Sequence, residues 1–324
     1  DCFYNYIDNF YICKMTSLIQ LEYIIAVDTY RHFVTAAEKC FVTQPTLSMQ
    51  IKKLEEDLGV IIFDRTKQPI IPTEIGKKII EQARITVAES KKINEIINEF
   101  NNSISGDITI GIIPSLAPYL LPLFIGKFTK KYPEVNVKIV ELLTDDIITE
   151  LKKDTIDVGI LVTPVHENGI LEEVLFYEEM KVLASNSHEL SNKKTVNVEE
   201  LESLDLWLLN NGHCFRSQVV NLCNYKKKND NKTNFDYESG SLETIKKLIE
   251  IEGGYALMPE LAIEKSHKKT SIVQIEGIPL REVSFAFTRN YNKKKLLSAI
   301  SEEIKKAIPE ALKQKNRGFV VEWK

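Results

Sequence analysis

The chain has 324 residues, 44% of them hydrophobic and 27% charged, with a formal net charge of −4. That length supports two or three domains with sizeable cores, and the balance excludes a chain that depends on overall basic charge to find nucleic acid. No apolar run approaches the ~18 residues of a membrane span, so no membrane-spanning helix is predicted and no membrane partner is expected.

Residues 1–14, DCFYNYIDNFYICK, lack a basic n-region, a continuous apolar core and a small-residue cleavage site, and so do not read as a signal peptide. They are expected to be an upstream extension ahead of a start at Met15, or else a poorly ordered leader. A cytoplasmic address follows, where thiols are kept reduced. The five cysteines are therefore not expected to form a disulfide framework, and any disulfide should be transient and regulatory.

Residues 15–73 read as a winged helix-turn-helix. SLIQLEYIIAVDTY places Leu18, Leu21, Ile24, Ile25 and Val27 at helical spacing, FVTAAEKC is a second short helix, and TQPTLSMQIKKLEEDLGV a third over about 43–58. Thr43 suits the N-cap, Pro45 the first turn and Gly59 the stop, with Leu47, Ile51, Leu54 and Leu58 forming one apolar stripe. VIIFDR and PIIP, separated by TKQ, read as the ribbon of the wing. Two short helices with a tight joint can lay the second in the major groove. With the stripe turned inward, Gln44, Pro45, Thr46, Ser48, Met49, Gln50 and Lys53 crowd the first turns on or beside the open face. Amides and hydroxyls there can read base edges, while Lys52, Lys53 and Arg65 can meet phosphates. A generic three-helix packing unit with a solvated face would have the same pattern. Residues 15–84 hold nine Lys/Arg and nine Asp/Glu, so a basic surface must come from arrangement.

Residues 74–103 are predicted to form one long linker helix. Ile79, Ala83, Thr86, Ser90, Ile93, Ile97 and Phe100 alternate steps of four and three, a heptad seam that is apolar at five of seven positions. Dimerisation uses such a stripe, and so does packing on the chain's own body. NNSISG follows as a polar hinge.

Residues 104–316 alternate strands and helices in an α/β pattern. DITIGII, VNVKIVEL and IDVGIL are Val/Ile-rich runs with helical stretches at 118–131 and 144–153 between them, which implies a mostly parallel sheet. MKVLAS, LDLWLL, NFDYES, the helix SLETIKKLIEI and GGYALMP form a second set, and REVSFAFT with a last helix from about 293 returns to the first sheet. The reading is a two-lobed domain, lobe I about 106–178 plus 282–316 and lobe II about 179–281, with a cleft between and a tail at 317–324.

GHCFRSQVVNLC at 212–223 carries the most specific chemistry. His213 and Arg216 flank Cys214, and a helix is expected to begin just after it. A cation and a helix N-terminus both favour the thiolate that attacks peroxide, and Arg216 could stabilise the charge that develops as the O–O bond breaks. The sulfenic acid so formed can be resolved by a second thiol. Cys223 lies nine residues on. In a continuous helix the two Cα atoms stand ~13 Å apart, whereas a disulfide needs roughly 4.4–6.8 Å. Pairing would therefore require this segment to unwind. Two unrelated cysteines, one buried at each end of a helix, fit the spacing equally well.

Taken in order, residues 16–316 resemble the LysR-type transcriptional regulators, and within them the peroxide-sensing members. The helix-turn-helix, the linker helix and the two-lobed domain match the family plan, as do the run at 212–223, IGIIPSLAPYLLP at 110–122, ELLTDDIITEL at 141–151 and SLETIKKLIEIEGGYALMPELAI at 241–263. The resemblance implies a periplasmic-binding-protein-like effector domain, homodimers or homotetramers on dyad-related operator DNA, hydrogen peroxide as effector, RNA polymerase as partner and a glutaredoxin- or thioredoxin-type reductant. It makes Cys214 the peroxidatic and Cys223 the resolving cysteine, with His213, Arg216, Thr144 and Ser115 around the peroxide. Ser115 stands where the family has Thr, and Ser217 where it commonly has Asp. The family buries a small apolar residue at Cys40, which is assigned to the core. Thr144 also suits the N-cap of the helix that follows.

A LysR-type regulator responding to a small metabolite in the interlobe cleft, its cysteines incidental, is the competing reading; an unchanged response of a Cys214→Ser variant would favour it. A thiol peroxidase would leave the helix-turn-helix without purpose, and sustained turnover of peroxide would identify one. No cofactor is expected, and the scattered His residues predict no metal site.

Overall fold

The computed structural model describes residues 16–100, 103–201, 206–223, 239–263 and 269–323. The expectation for residues 1–14 lies outside these. The chain divides into two compact units, residues 1–102 and 103–324.

In the first unit, helix α1 (Leu18–Tyr30) starts on a capping box: Ser17 Oγ accepts the Gln20 N–H and the Gln20 side chain accepts the Ser17 N–H. Helices α2 (Phe33–Lys39) and α3 (Gln44–Leu58) follow. Thr43 caps α3 through the Thr46 N–H, and Gly59 ends it at φ +68°, in the left-handed region that favours glycine. Leu47, Ile51 and Leu54 are buried with Ile24, Val27, Ala36 and Phe63. Leu58 departs from the expected stripe and is 41% exposed, because the last turn has run past the core. Cys40 packs against that core as expected. Strands β1 (Phe63–Asp64) and β2 (Ile71–Pro72) form the antiparallel ribbon, and the Glu55 carboxylate accepts the Ile62 and Phe63 N–H groups at 2.8 and 3.2 Å, which fixes the chain's exit from α3.

Helix α4 (Glu74–Phe100) is one continuous element. Its first half packs on its own head: Ile80 and Ala83 belong to the head's core, and Arg84 pairs with Asp28 at 3.0 Å. Own-body packing thus accounts for the start of the predicted seam. At the far end Ile93, Ile97 and Phe100 are 61%, 52% and 90% exposed, so the apolar residues in the second half of the seam lie open to solvent.

The second unit is built on strands β3 (Gly106–Ile112), β4 (Val135–Glu141), β5 (Val158–Thr163), β6 (Ile170–Ser185), β7 (Thr195–Val196), β8 (Tyr255–Pro259), β9 (Thr270–Ile275), β10 (Pro279–Thr288) and β11 (Phe319–Val320). Their order is β4-β3-β5-β10-β6-β9-β7, with β8 on β6 and β11 on β10. The β3–β4 and β3–β5 pairings are parallel, as the βαβ reading requires. Helices α5 (Ala117–Lys131), α6 (Thr144–Lys152) and α9 (Lys294–Ala307) contribute to one core, while α7 (Cys214–Cys223) and α8 (Leu242–Glu252) contribute to a second around β8 and β9. Strand β6 contributes to both cores, and β10, paired antiparallel with it, contributes to the first. Strand β6 begins ten residues before MKVLAS, because Glu172, Glu173, Glu178 and Glu179 disguise its first half. LDLWLL makes only isolated bridges, Leu206 to Tyr255 and Leu209 to Ser239. NFDYES falls at residues 234–239, of which 234–238 lie outside the described residues. The expected tail is instead a strand followed by buried side chains of Val321 and Trp323.

Candidate functional site

Cys214 and Cys223 occupy the first and last positions of α7. Both side chains are buried, at 4% and 1% exposure, and both are thiols rather than disulfide sulfurs. Cys214 packs into the core that holds Phe176 and Phe285, whereas Cys223 packs into the core that holds Val219, Tyr255 and Val321. Helical rise separates their Cα atoms by ~13 Å. Gly212, at φ +94°, turns the chain into this helix, and the His213 carbonyl accepts the Ser217 N–H at 3.3 Å, so His213 is the residue at the helix entrance.

The thiolate expectation needs correction. Burial pushes the Cys214 thiol above its ordinary range and outweighs the groups that pull it down, which are the Thr144 hydroxyl, the Arg281 guanidinium and the backbone N–H groups at the start of α7. His213 is also buried, and burial lowers its pKa and so disfavours the imidazolium cation. Arg216 does not supply the cation: its Nη1 donates to the Leu209 carbonyl at 2.7 Å and so ties down the turn ahead of α7.

The cation that acts on Cys214 is Arg281, which the sequence reading missed. It lies on β10 with no exposed surface. Its Nε donates to Glu178 Oε2 at 2.7 Å, Nη1 to Ser115 Oγ at 3.1 Å and Nη2 to the Ser115 carbonyl at 3.1 Å. Its guanidinium carbon stands 5.3 Å from the Phe215 ring centre. Glu178 Oε1 accepts the Leu261 N–H at 2.7 Å, so both carboxylate oxygens are engaged. The available signal was weak: Arg281 stands beside Glu282 in the strand-like run PLREVSFAF, and only its burial shows that it demands a carboxylate partner.

Thr144 stands close enough to Cys214 to favour its thiolate, but it does not cap α6: Leu143 holds the N-cap position, and Thr144 Oγ1 is buried without a well-aligned hydrogen-bond partner. The fold thus gathers Cys214, Thr144, Ser115, Arg281 and Phe215 into one buried cluster, with His213 at its edge and Arg216 directed away. A buried thiol beside hydroxyls and a fixed cation can react with a small uncharged oxidant.

On the head, Gln44, Pro45 and Lys53 are exposed, and Thr46, Ser48 and Gln50 are half-buried. The Thr46 hydroxyl lies 2.8 Å from that of Thr43, and Gln50 Oε1 accepts from Gln20 Nε2 at 3.5 Å. Arg65 pairs with Glu55 at 2.9 Å and lies over the Phe33 ring, while its side chain stays 40% exposed. Among the described residues no cluster of metal ligands occurs, and no helix is long and apolar enough to cross a membrane.

Residues 18–77 match the model of the bacterial regulatory helix-turn-helix protein, lysR family, and residues 101–309 match the LysR substrate binding domain. The DNA-binding transcriptional dual regulator OxyR of Escherichia coli K12 is 31% identical over 82% of this chain and 88% of its own length. The hydrogen peroxide-inducible genes activator of Haemophilus influenzae is 29% identical over 88% of this chain and 96% of its own. A solved full-length OxyR variant from Pseudomonas aeruginosa superposes with a TM-score of 0.75 at 29% identity, covering 91% of this chain and 99% of that one. With head and two-lobed domain matching in chain order, this chain belongs to the LysR family of bacterial helix-turn-helix regulators.

Proposed function

We propose that the chain is a DNA-binding transcription regulator that senses hydrogen peroxide by reversible Cys214–Cys223 disulfide formation and controls oxidative-stress genes. One observation carries the reading: two reduced, buried thiols sit at opposite ends of a single ten-residue helix, in different cores, and one of them has hydroxyls and a fixed cation beside it. The relatives named for peroxide response lend it support.

The chemistry balances as two displacements. The Cys214 sulfur attacks one peroxide oxygen, the O–O bond breaks, and hydroxide leaves with the electron pair as the sulfur is oxidised to sulfenic acid. The Cys223 thiolate then attacks that sulfur, an S–S bond forms, the S–O bond breaks and water is released after protonation. A dithiol reductant of the thioredoxin or glutaredoxin type reverses the oxidation. Thr144, Ser115 and Arg281 would hold the peroxide and stabilise the developing charge, with His213 adjacent and Arg216 holding the turn. In this reading the oxidation is a signal rather than a catalytic turnover, and sustained consumption of peroxide with a dithiol reductant would count against it.

Closure of the disulfide requires α7 to unwind, which repacks the effector region of 104–316. Residues 74–103 would carry that change within a homodimer or homotetramer to heads of residues 15–73 on operator DNA, where RNA polymerase is engaged. Gln44, Pro45, Thr46, Ser48, Gln50, Lys53 and Arg65 face the DNA in this reading, with Arg65 also pairing with Glu55. Mass spectrometry after mild peroxide should show an intramolecular Cys214–Cys223 link, and footprints on one operator should differ in length between redox states at the same subunit count. Linkage solely through Cys40, or identical footprints with the disulfide present, would overturn the proposal.

A further inference from the structure

The segment after residue 316 has no part in the reading above, yet it touches the redox helix at two points. Gln218 and Asn221 are three residues apart and share one face of α7. Gln218 Nε2 donates to the Val321 carbonyl at 2.7 Å, and Asn221 Nδ2 donates to the Glu322 carbonyl at 3.2 Å. Gln218 has no exposed surface. From the other side, the Val321 N–H donates to the Leu280 carbonyl at 2.8 Å, next to Arg281 on β10. The segment is therefore clamped between the helix that carries both thiols and the strand that carries the buried cation.

Its anchorage is specific. Arg317 donates to the Tyr177 carbonyl at 3.2 Å and pairs with Glu260 at 3.6 Å. Gly318 passes so close to the backbone that a Cβ there would lie 1.9 Å from the Ile278 carbonyl oxygen, so only glycine permits the approach. Val321 enters the core that holds Cys223, and Trp323 enters the core that holds Cys214.

We propose that residues 317–323 are a strap that holds α7 helical in the reduced protein and is expelled when the disulfide closes, with Gln218 and Asn221 as its positioning residues. The inference rests on the Cys214–Cys223 reading. The physical reason is spacing. Both side chains reach consecutive strap carbonyls only while α7 keeps its helical rise; once the helix unwinds, neither bond survives and the Val321 carbonyl is left buried without its donor, a state that costs more than release into water. The coupling is reciprocal: a docked strap opposes closure, and closure opposes docking.

The chain has two tryptophans, Trp207 and Trp323, so Trp207→Phe makes Trp323 the sole reporter of the full-length protein. Peroxide should red-shift its emission and raise its quenching by acrylamide severalfold, in step with the disulfide measured by mass spectrometry. Adding Cys223→Ser, which stops at sulfenic acid, should abolish the change. In the wild-type background, Gln218→Met and Gly318→Ala should leave the rate of sulfenic acid formation unaltered but close the disulfide about tenfold faster, the factor expected for loss of one buried hydrogen bond. Where Gly318→Ala fails to fold, the Trp323 measurement on the intact strap decides. A disulfide that closes while Trp323 stays shielded overturns the strap and leaves the redox pair standing, as does wild-type closure in Gln218→Met. Absence of any Cys214–Cys223 disulfide overturns the pair itself, and the strap with it.

Discussion

Replacing Arg281 by Met tests whether the buried cation is a structural and electrostatic centre of the site. The change removes a guanidinium that makes three hydrogen bonds, one to Glu178 and two to Ser115, in a place where neither Arg281 nor Glu178 has exposed surface. Glu178 would keep only the Leu261 N–H as partner and would remain a buried charge. Breaking a buried pair from one side costs about 3–5 kcal/mol, mostly as the penalty for the stranded partner. In a unit of roughly 220 residues that corresponds to a fall in Tm of about 6–20 °C. Urea unfolding of reduced protein should give this loss for Arg281→Met, while Arg281→Met/Glu178→Met should be more stable than the sum of the single losses predicts, because no stranded charge remains. Folded Arg281→Met should also form sulfenic acid more slowly, since Arg281 is one of the groups that pull the Cys214 thiol down. A single-variant loss below about 1 kcal/mol, or strict additivity in the double variant, would refute the assignment.

His213 should make stability depend on pH. Burial lowers its pKa in the folded chain, so on acidification the unfolded chain takes up a proton first; the stabilising contribution is complete above the unfolded value of about 6.5 and is lost as pH falls below it. His213→Gln should flatten the stability profile between about pH 5 and 7, and an unchanged slope would discount the burial. On the head, Lys53→Ala should weaken binding to every DNA sequence and lower the salt slope by about one, whereas Thr46→Ala or Gln50→Ala should each lose about 1–3 kcal/mol of discrimination at a single base position; retained operator preference in both polar variants would displace α3 from the groove. Ile97→Asp and Phe100→Asp each remove a side chain whose burial contributes about 1.5–3 kcal/mol, and sedimentation should show self-association weakened by at least tenfold; unchanged association would make the exposed end of α4 something other than a subunit contact.

The capping signals, stripes and breakers of residues 17–59 were legible because they act locally. Ser17 and Thr43 accept N–H groups a few residues away, and Gly59 adopts a conformation that its own lack of a Cβ permits. The βαβ order of β3 to β5 and the placement of both cysteines on one helix were equally readable, since Val/Ile runs and a nine-residue spacing need no tertiary partner to interpret. Three features escaped for a common reason. Arg216 looked like the cation of the site by proximity in sequence, but the carbonyl of Leu209 claims it, and Arg281 arrives from a distant strand. The Cys214 thiol looked activated by its neighbours, but the depth of its burial, which only packing sets, reverses the net effect. Residues 317–323 looked like a tail because three apolar residues and a tryptophan have no periodicity in so short a run, and their partners lie on β10 and on α7. Local backbone preference is written in adjacent residues; desolvation and long-range charge pairing depend on which surfaces meet, and only the tertiary structure decides that.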